Sequence, residues 1–337
     1  MRTSRVVVGA ATVALLGLTS SAVASPAHRA AATSGHLAVT GYALGGTSKA
    51  VIVASRKGLS TVTVDGVSIN ATGSGVEKPY AGLASVRRIA HQQGLRTELL
   101  VSNYSDRIGD FDPHAAHGLL NSGARITRLA HAMAGYVAHG HYDGVNIDLE
   151  LVQQRDAGGL VRLAKALQAA MPKKRTVSID ISASTSLSEY RSQGYALKQL
   201  GHAVDVVQLM AYDEHGPGWS GPGPIGDLRW QQSSLATLLT QVPARKVDLG
   251  QAGYGYTWPV SGTGTTVTDG GARALVRDDD ATAVWHADSG EWSATLSDGT
   301  RLWWADARSY ALRTSVARQH HLHGLAVWVL GSADPLT

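Results

Sequence analysis

The sequence predicts a closed (β/α)8 TIM barrel with a small α+β insertion between its seventh and eighth strands. Three observations lead there. From residue 36 onward, short β-like runs alternate with helical patterns, which is the order of a parallel sheet covered by helices. The runs number eight, the count that closes such a sheet into a barrel. The gap before the last run is too long for a simple loop and reads as helix and strand material of its own. A doubly wound open sheet is the alternative, weakened because no G-x-G-x-x-G follows the first run.

The β-like runs are "HLAVTGYAL" (36–44), "STVTVDGVSI" (60–69), "RTELLVSNYS" (96–105), "YDGVNIDLE" (142–150), "RTVSIDISAS" (175–184), "VDVVQLMAYD" (204–213), "KVDLGQAGYGY" (246–256) and "GLAVWVLG" (324–331). Helical patterns occupy 80–94, 124–140, 157–171, 194–203, 229–242 and 305–321. Residues 259–304 hold the helix-like "DGGARALVRD" and Gly-bounded, Trp-rich β segments. They read as the insertion, on the loop face of the barrel. The four Trp there, Trp285, Trp292, Trp303 and Trp304, are expected to form its small core.

The N-terminus reads as a processing signal. Arg2 and Arg5 precede an apolar run from Val6 to Leu18, and Ala22-Val23-Ala24 matches a small-x-small cleavage site. The run is too short for a stable transmembrane anchor. Residues 1–24 are therefore expected to be a signal peptide, 25–35 a disordered lead-in and 36–337 the barrel, in a secreted protein that a cell wall could hold.

Composition narrows the chemistry further. With 44% hydrophobic and 17% charged residues the chain is of globular type. It has no cysteine, which excludes thiol catalysis and Cys-based metal sites. The formal charge of +4 falls to +2 without residues 1–24, which carry two Arg and no acid. That is far short of a nucleic-acid binder. Phosphate loops and Ser-His-Asp patterns are absent from the sequence. His139, His141, His320, His321 and His323 are read as surface residues with no acidic partner, so no metal and no cofactor are expected. A monomer is expected, with no nucleic-acid partner and no stable membrane association.

The fourth run carries the chemistry. Side chains alternate faces along a strand. Val145, Ile147, Leu149 and Leu151 fall on one face; Gly144, Asn146, Asp148 and Glu150 fall on the other. The apolar face is expected under the helices. The polar face must then look into the barrel and up to its C-terminal mouth, where active sites of this fold sit. Asp148 and Glu150 lie two residues apart, roughly 6.5–7 Å along the strand. A neighbouring negative charge would keep Glu150 protonated as a general acid. Both acids reach a substrate from one side, whereas a two-carboxylate glycosidase needs its second acid on the opposite face of the sugar. No second Glu stands out for that role, so the nucleophile could come from the substrate.

D-x-x-N-x-D-x-E at 143–150 resembles the D-x-x-D-x-D-x-E signature of glycoside hydrolase family 18, the chitinase family. "QLMAYDEHGPGWSGPGPIGDLRW" (208–230), "LGQAGYGYTW" (249–258) and "GLAVWVLGSADP" (324–335) resemble its sixth, seventh and eighth strands. "SNYSDRIGDFDPHAAHGLL" and "MAYDEH" resemble more closely the bacterial branch of spore-cortex-lytic and cell-wall N-acetylglucosaminidases. The resemblance implies a retaining, substrate-assisted glycosidase acting on polysaccharides or oligosaccharides that contain N-acetylglucosamine, with peptidoglycan preferred and chitin oligomers second. It implies Glu150 as the acid, Asp148 orienting the sugar acetamide, Tyr212 donating to the acetamide oxygen, Asp213 binding sugar near the cleaved bond and Trp328 flooring the pocket. Asn146 departs from the signature and cannot take a proton from Asp148.

Further candidate sugar contacts follow from position. Tyr42 and Asn103 end the first and third strands. Gln208 and Met210 share the inward face with Tyr212. Tyr254 and Trp258 close the seventh run. Two other readings stay open: a non-catalytic, lectin-like member of the fold, and an endo-N-acetylglucosaminidase acting on N-glycans. Exo or endo action depends on loop lengths over the cleft.

Overall fold

The computed structural model describes residues 37–337. The predicted signal peptide and lead-in lie outside the described residues. Eight parallel strands close into a barrel: Ala38–Ala43, Thr61–Ser68, Arg96–Ser102, Gly144–Asp148, Thr176–Ser182, Val206–Met210, Val247–Ala252 and Gly324–Trp328. They are numbered one to eight below. Each pairs with its neighbours in sequence, and the eighth closes on the first through Ala38–Gly324 to Gly41–Val327.

Two layers of side chains result from the strand alternation. Outward residues such as Val62, Leu99, Val145, Ile147, Ile179, Leu209 and Leu249 meet the helices in one large apolar core. Residues facing the lumen are mostly polar: Thr40, Thr63, Glu98, Asn146, Asp148, Ser178, Asp180, Gln208 and Asp248, all buried. Tyr42, Leu100 and Ala326 form only a small apolar cluster within. A polar lumen is stable only where its groups find hydrogen-bond partners.

The helices follow their caps. Leu83–Gln92, Gly123–Gly140, Ala157–Ala170, Leu197–Ala203, Leu228–Leu239 and Ala307–Gln319 lie within or beside the predicted segments. Side chains of Ser122, Asp227 and Asp306 accept from first-turn N–H groups of their helices, satisfying donors that the helix leaves open. Lys49–Ser55, Pro113–Leu120 and Leu187–Ser192 are helices the periodicity did not reveal. They are short, so their apolar repeats are too brief to register.

Three expectations change. First, the run 246–256 is two strands. The barrel strand stops at Ala252, and Gly255–Trp258 starts a five-stranded antiparallel sheet. A Cβ at Gly253 would sit 2.3 Å from Ala333 Cβ, so the chain can leave the barrel this closely only as glycine. The new sheet pairs Gly255–Trp258 with Arg301–Trp304 and therefore begins before residue 259. With helix Asp269–Asp278 it makes the insertion. Adjacent Trp point opposite ways in it: Trp304 packs on Ala272 and Val276, while Trp303 joins Ile225, Tyr254 and Tyr256 toward the mouth.

Second, Leu151 is not under a helix; it is 54% exposed. The strand ends at Asp148 and Leu151 takes a left-handed backbone (φ 55°), so the alternation no longer applies. Third, His323 does have an acidic partner. Its Nδ1 lies 2.7 Å from Asp248 at the N-terminal end of the barrel. A cavity of about 230 Å³ opens there, and Thr40, Glu98, Ser178, Gln208, Asp248 and His323 are among the residues that line it.

Candidate active site

Strand four delivers Asn146 and Asp148 into the lumen and Glu150 just above it. Glu150 lies beyond the last ladder pair, Ser102–Asp148, so its backbone needs another support. Asn103 provides it. The Glu150 N–H donates to Asn103 Oδ1 at 2.8 Å, and Asn103 Nδ2 donates to the Glu150 carbonyl at 2.9 Å and the Asp112 carbonyl at 3.1 Å. Asn103 is 1% exposed and its amide is fully used. It sets the height of Glu150 rather than facing a ligand.

The electrostatics are set by crowding. Burial pushes the Glu150 carboxyl well above the usual range, and the nearby Asp148, Asp213 and Asp110 push it further. Asp148 is buried and also shifted well up, by burial first and then by Asp180 and Asp65. Asp65 is pushed to about 6 by burial and Asp106. Asp180 is raised by burial to about 8, against the pull of hydrogen bonds from Asn146 and Tyr42. Acids in such surroundings hold their protons to higher pH than exposed carboxyls do.

Strand six and the insertion build the facing wall. Met210 ends strand six, half-buried, with Tyr212 just above it. The Tyr212 hydroxyl is held in its protonated form, chiefly by burial and then by Asp180, Glu150 and Asp148. Asp213 takes a left-handed backbone (φ 59°). Its Oδ1 accepts from the Tyr254 hydroxyl at 2.6 Å and the Tyr256 hydroxyl at 2.8 Å. Tyr254, Tyr256 and Trp258 continue as edge-on rings, with centroids 5.4 and 6.0 Å apart. Trp219 stands edge-on to Tyr256 at 5.8 Å and is 57% exposed. Trp328 ends strand eight, partly exposed, with its ring 5.3 Å from that of Tyr42.

Three candidate sugar contacts sit deeper than the mouth. Tyr42, Asn146 and Gln208 are each at most 2% exposed. The Tyr42 hydroxyl lies 2.7 Å from Asp180 Oδ1 and also against Gln208 Oε1. Asn146 Nδ2 reaches Asp180 at 2.8 Å, Ser178 Oγ at 3.0 Å and Gln208 at 3.2 Å. These side chains bond to one another and form the floor beneath Asp148. Asp143, the first signature acid, is farther away. It holds the start of strand four, accepting from Arg175 at 2.8 Å and the Thr97 N–H at 3.0 Å, beside His91 at 3.0 Å.

The mouth thus combines Glu150, whose carboxyl is held well above its usual range, a buried acid immediately below it, a phenol donor and an aromatic wall. It can protonate a bridging oxygen and stabilise a cation formed beside Asp148. The profile of "Glycosyl hydrolases family 18" matches residues 58–333. The chain belongs to glycosyl hydrolases family 18. It is a glycoside hydrolase by that membership. The family 18 chain is 27% identical over 252 residues to the uncharacterized glycosylase YvbX of Bacillus subtilis, covering 72% of this chain and 73% of that one. It is 22% identical over 272 residues to the cortical fragment-lytic enzyme of Bacillus subtilis, covering 75% and 61%. The crystal structure of a chitinase from Chromobacterium violaceum superposes with a TM-score of 0.80 at 25% identity, over 88% of this chain and 95% of that one.

Two residues of this family 18 site escaped the sequence reading. Asp180 joins the acid cluster from strand five, and Tyr256 holds Asp213 from the insertion. Strand five carried a signal: Thr176, Ser178, Asp180 and Ser182 alternate as the polar face of strand four does. Tyr256 had none, because its placement depends on the chain leaving the barrel at Gly253.

Proposed function

We propose that this family 18 chain is a secreted, retaining glycosidase that cleaves β-linkages following N-acetylglucosamine units, with peptidoglycan the preferred substrate and chitin oligomers second. The reading is carried by one observation. Glu150 sits just beyond the strand end that carries the buried Asp148, and burial with acid crowding raises its carboxyl well above the usual range. Glu150 protonates the glycosidic oxygen. The acetamido carbonyl of the same sugar attacks the anomeric carbon, closing an oxazolinium ring as the leaving group departs. Asp148 orients the acetamide, the Tyr212 hydroxyl donates to its oxygen, and Trp328 lies under the ring. Water then opens the oxazolinium as Glu150 takes its proton, which returns the starting anomeric configuration. Asp213 is less suited as a nucleophile, since one of its oxygens accepts two tyrosine hydroxyls.

The cortical fragment-lytic relative supports peptidoglycan, and the chitinase neighbour supports chitin oligomers. The apolar run after Arg5 supports export. The test incubates the mature protein and Glu150→Gln with purified peptidoglycan and with chitin oligosaccharides, and resolves the products by mass. Product from the wild type, with a fall of about 10²–10⁴-fold in the variant, is expected for loss of a general acid. Equal product from both proteins would remove Glu150 from the role.

A further inference from the structure

The two ends of the barrel carry opposite charge. At the mouth, Asp148, Asp213 and Asp110 all act on Glu150. The other end is built from the seven connectors that lead into strands two to eight, residues 56–60, 93–95, 141–143, 171–175, 204–205, 240–246 and 320–323. They hold seven Lys or Arg and two acids. Residues 37–337 as a whole are nearly neutral, with 27 Lys and Arg against 26 acids, because three of the 30 cations and no acid precede residue 37. The basic end is a matter of placement, not of composition.

Some of these charges serve the fold. Arg175 pairs with Asp143 at 2.8 Å, and Arg56 donates to the Val53 carbonyl at 3.0 Å. Lys246 donates to the Gly201 carbonyl at 2.9 Å and the Val204 carbonyl at 2.5 Å. The second acid, Asp205, accepts the Val177 N–H at 2.9 Å. That leaves Lys57, Lys173, Lys174 and Arg245. All four are exposed, and their charged groups meet no hydrogen-bond or ion-pair partner among the described residues. A helix dipole favours cations within its last turn. Lys173, Lys174 and Arg245 lie at least three residues past the preceding α-helices, so the dipole does not account for them. Lys173 and Lys174 form the tip of a turn closed by the Arg175 N–H on the Pro172 carbonyl at 3.1 Å.

Unpaired cations around one end draw a polyanion, and the acids at the other end repel it. The surroundings narrow its kind. None of the large apolar side chains exposed among the described residues lies on these connectors, so nothing there enters a bilayer as an interfacial anchor does. Their one Tyr, Trp or Phe is Tyr142, which is buried, so no such ring is offered to a nucleic-acid base. Point charges on flexible stems suit a chain of repeating phosphates. We infer that the N-terminal end of the barrel is a docking surface for a flexible polymer of repeating phosphodiesters, with the acidic mouth turned away from that polymer. The surface is separate from the hydrolytic site and does not depend on what that site cleaves.

The test titrates the whole chain, without its predicted signal, into end-labelled poly(glycerol phosphate) and follows fluorescence anisotropy. Binding should weaken by about 50-fold between 50 and 200 mM salt, for four contacts at the slope of a single-stranded phosphodiester. Reversing all four charges, Lys57→Glu, Lys173→Glu, Lys174→Glu and Arg245→Glu, should lower affinity by about ten-fold or more. The value of kcat/KM on chitin oligosaccharides should stay within about two-fold, because none of the four lies at the mouth. No binding at 50 mM salt, or binding that the reversal leaves intact, would overturn the inference. Tighter binding at equal salt to phosphatidylglycerol vesicles or to single-stranded DNA would overturn it as well, in favour of a membrane or a nucleic acid. Should the four-fold variant not fold, judged by circular dichroism, Lys173→Gln with Lys174→Gln should still reduce the salt slope by about 1.4, and an unchanged slope would count against the surface. A wild type that binds the polymer but cleaves neither peptidoglycan nor chitin would support the docking surface and defeat the hydrolytic reading.

Discussion

The barrel mouth and the seam beneath the insertion both bury carboxylates, and they treat them oppositely. At the seam, Glu291 is 1% exposed and lies 3.5 Å from the Arg313 guanidinium, which is wholly buried. Glu291 also accepts the Ile225 N–H at 2.7 Å and the Gly226 N–H at 2.9 Å. Arg313 spends its other donors on Gln231 and on the Gly226, Ser289 and Gly290 carbonyls. Both charges are paired and hydrogen-bonded, as buried charges must be to persist. At the mouth, Asp148, Glu150 and Asp180 crowd together, and burial and neighbouring acids push all three upward. Burial raises carboxyls in both places, Glu291 to about 7, but at the seam Arg313 and two N–H donors pull against it. The first arrangement fixes structure; at the mouth neighbouring acids push the same way as burial, which suits proton transfer.

The strongest way to break this comparison is to unbalance the seam. Arg313→Met should destabilise the fold by about 3–5 kcal/mol, the usual cost of stranding a buried charge. Denaturant unfolding measures it. Adding Glu291→Gln should return part of that loss, because the amide oxygen still accepts from Ile225 or Gly226 without a charge to bury. A single variant as stable as the wild type would mean the pair is not a lock. The seam also holds the loop after strand six, so Arg313→Met should lower activity through Asp213 even below its melting range.

The mouth should answer in the other quantity. Asp148→Asn removes an acid whose burial is a cost, so stability should hold or rise slightly. Activity should drop by about 10²–10³-fold, the scale of one lost transition-state partner. The apparent acidity of the remaining cluster should increase, moving the basic limb of the pH profile to lower pH. Unchanged activity with lost stability would put Asp148 in the same class as Glu291.

Stability itself should depend on pH in a way that separates the two regions. Asp180 has its folded-state value raised to about 8 from an ordinary 3.8. Between those values the folded protein binds the proton that the unfolded chain has released. Stability from this group is therefore fully present at low pH and declines as pH rises toward 8. Asp180→Asn should flatten that decline in unfolding curves taken from pH 5 to 8. A decline of the same slope in the variant would place its origin elsewhere.

The sequence made some of this contrast readable. Alternation exposed Asn146, Asp148 and Glu150 as one face, since a parallel barrel strand should be apolar on both. The eight-unit rhythm exposed the barrel. Asp180 looked like ordinary alternation, because its partner Tyr42 comes from strand one and meets it only across the closed lumen. Gln208 and Asn103 were read at the mouth because strand position gives a face but not a depth. Glu291 and Arg313 showed nothing, since two charged residues in separate elements carry no sign of their pairing.

Tyr256 tests the smallest part of the contrast, the reach of the insertion into the mouth. Its hydroxyl and that of Tyr254 both end on Asp213 Oδ1, and Asp213 sits in a backbone region that non-glycine residues seldom occupy. Tyr256→Phe keeps the ring packing with Tyr254, Trp258 and Trp219 and removes one hydrogen bond. The loss should be about 1 kcal/mol, near the net worth of an ordinary hydrogen bond, since Tyr254 still donates to Asp213. If Asp213 binds sugar, that loss appears as a KM raised about five-fold with kcat nearly constant, which is the pattern of weakened uniform binding. Steady-state rates on chitin oligosaccharides decide it. A fall in kcat at constant KM would instead make Asp213 part of the transition-state machinery, and the insertion with it.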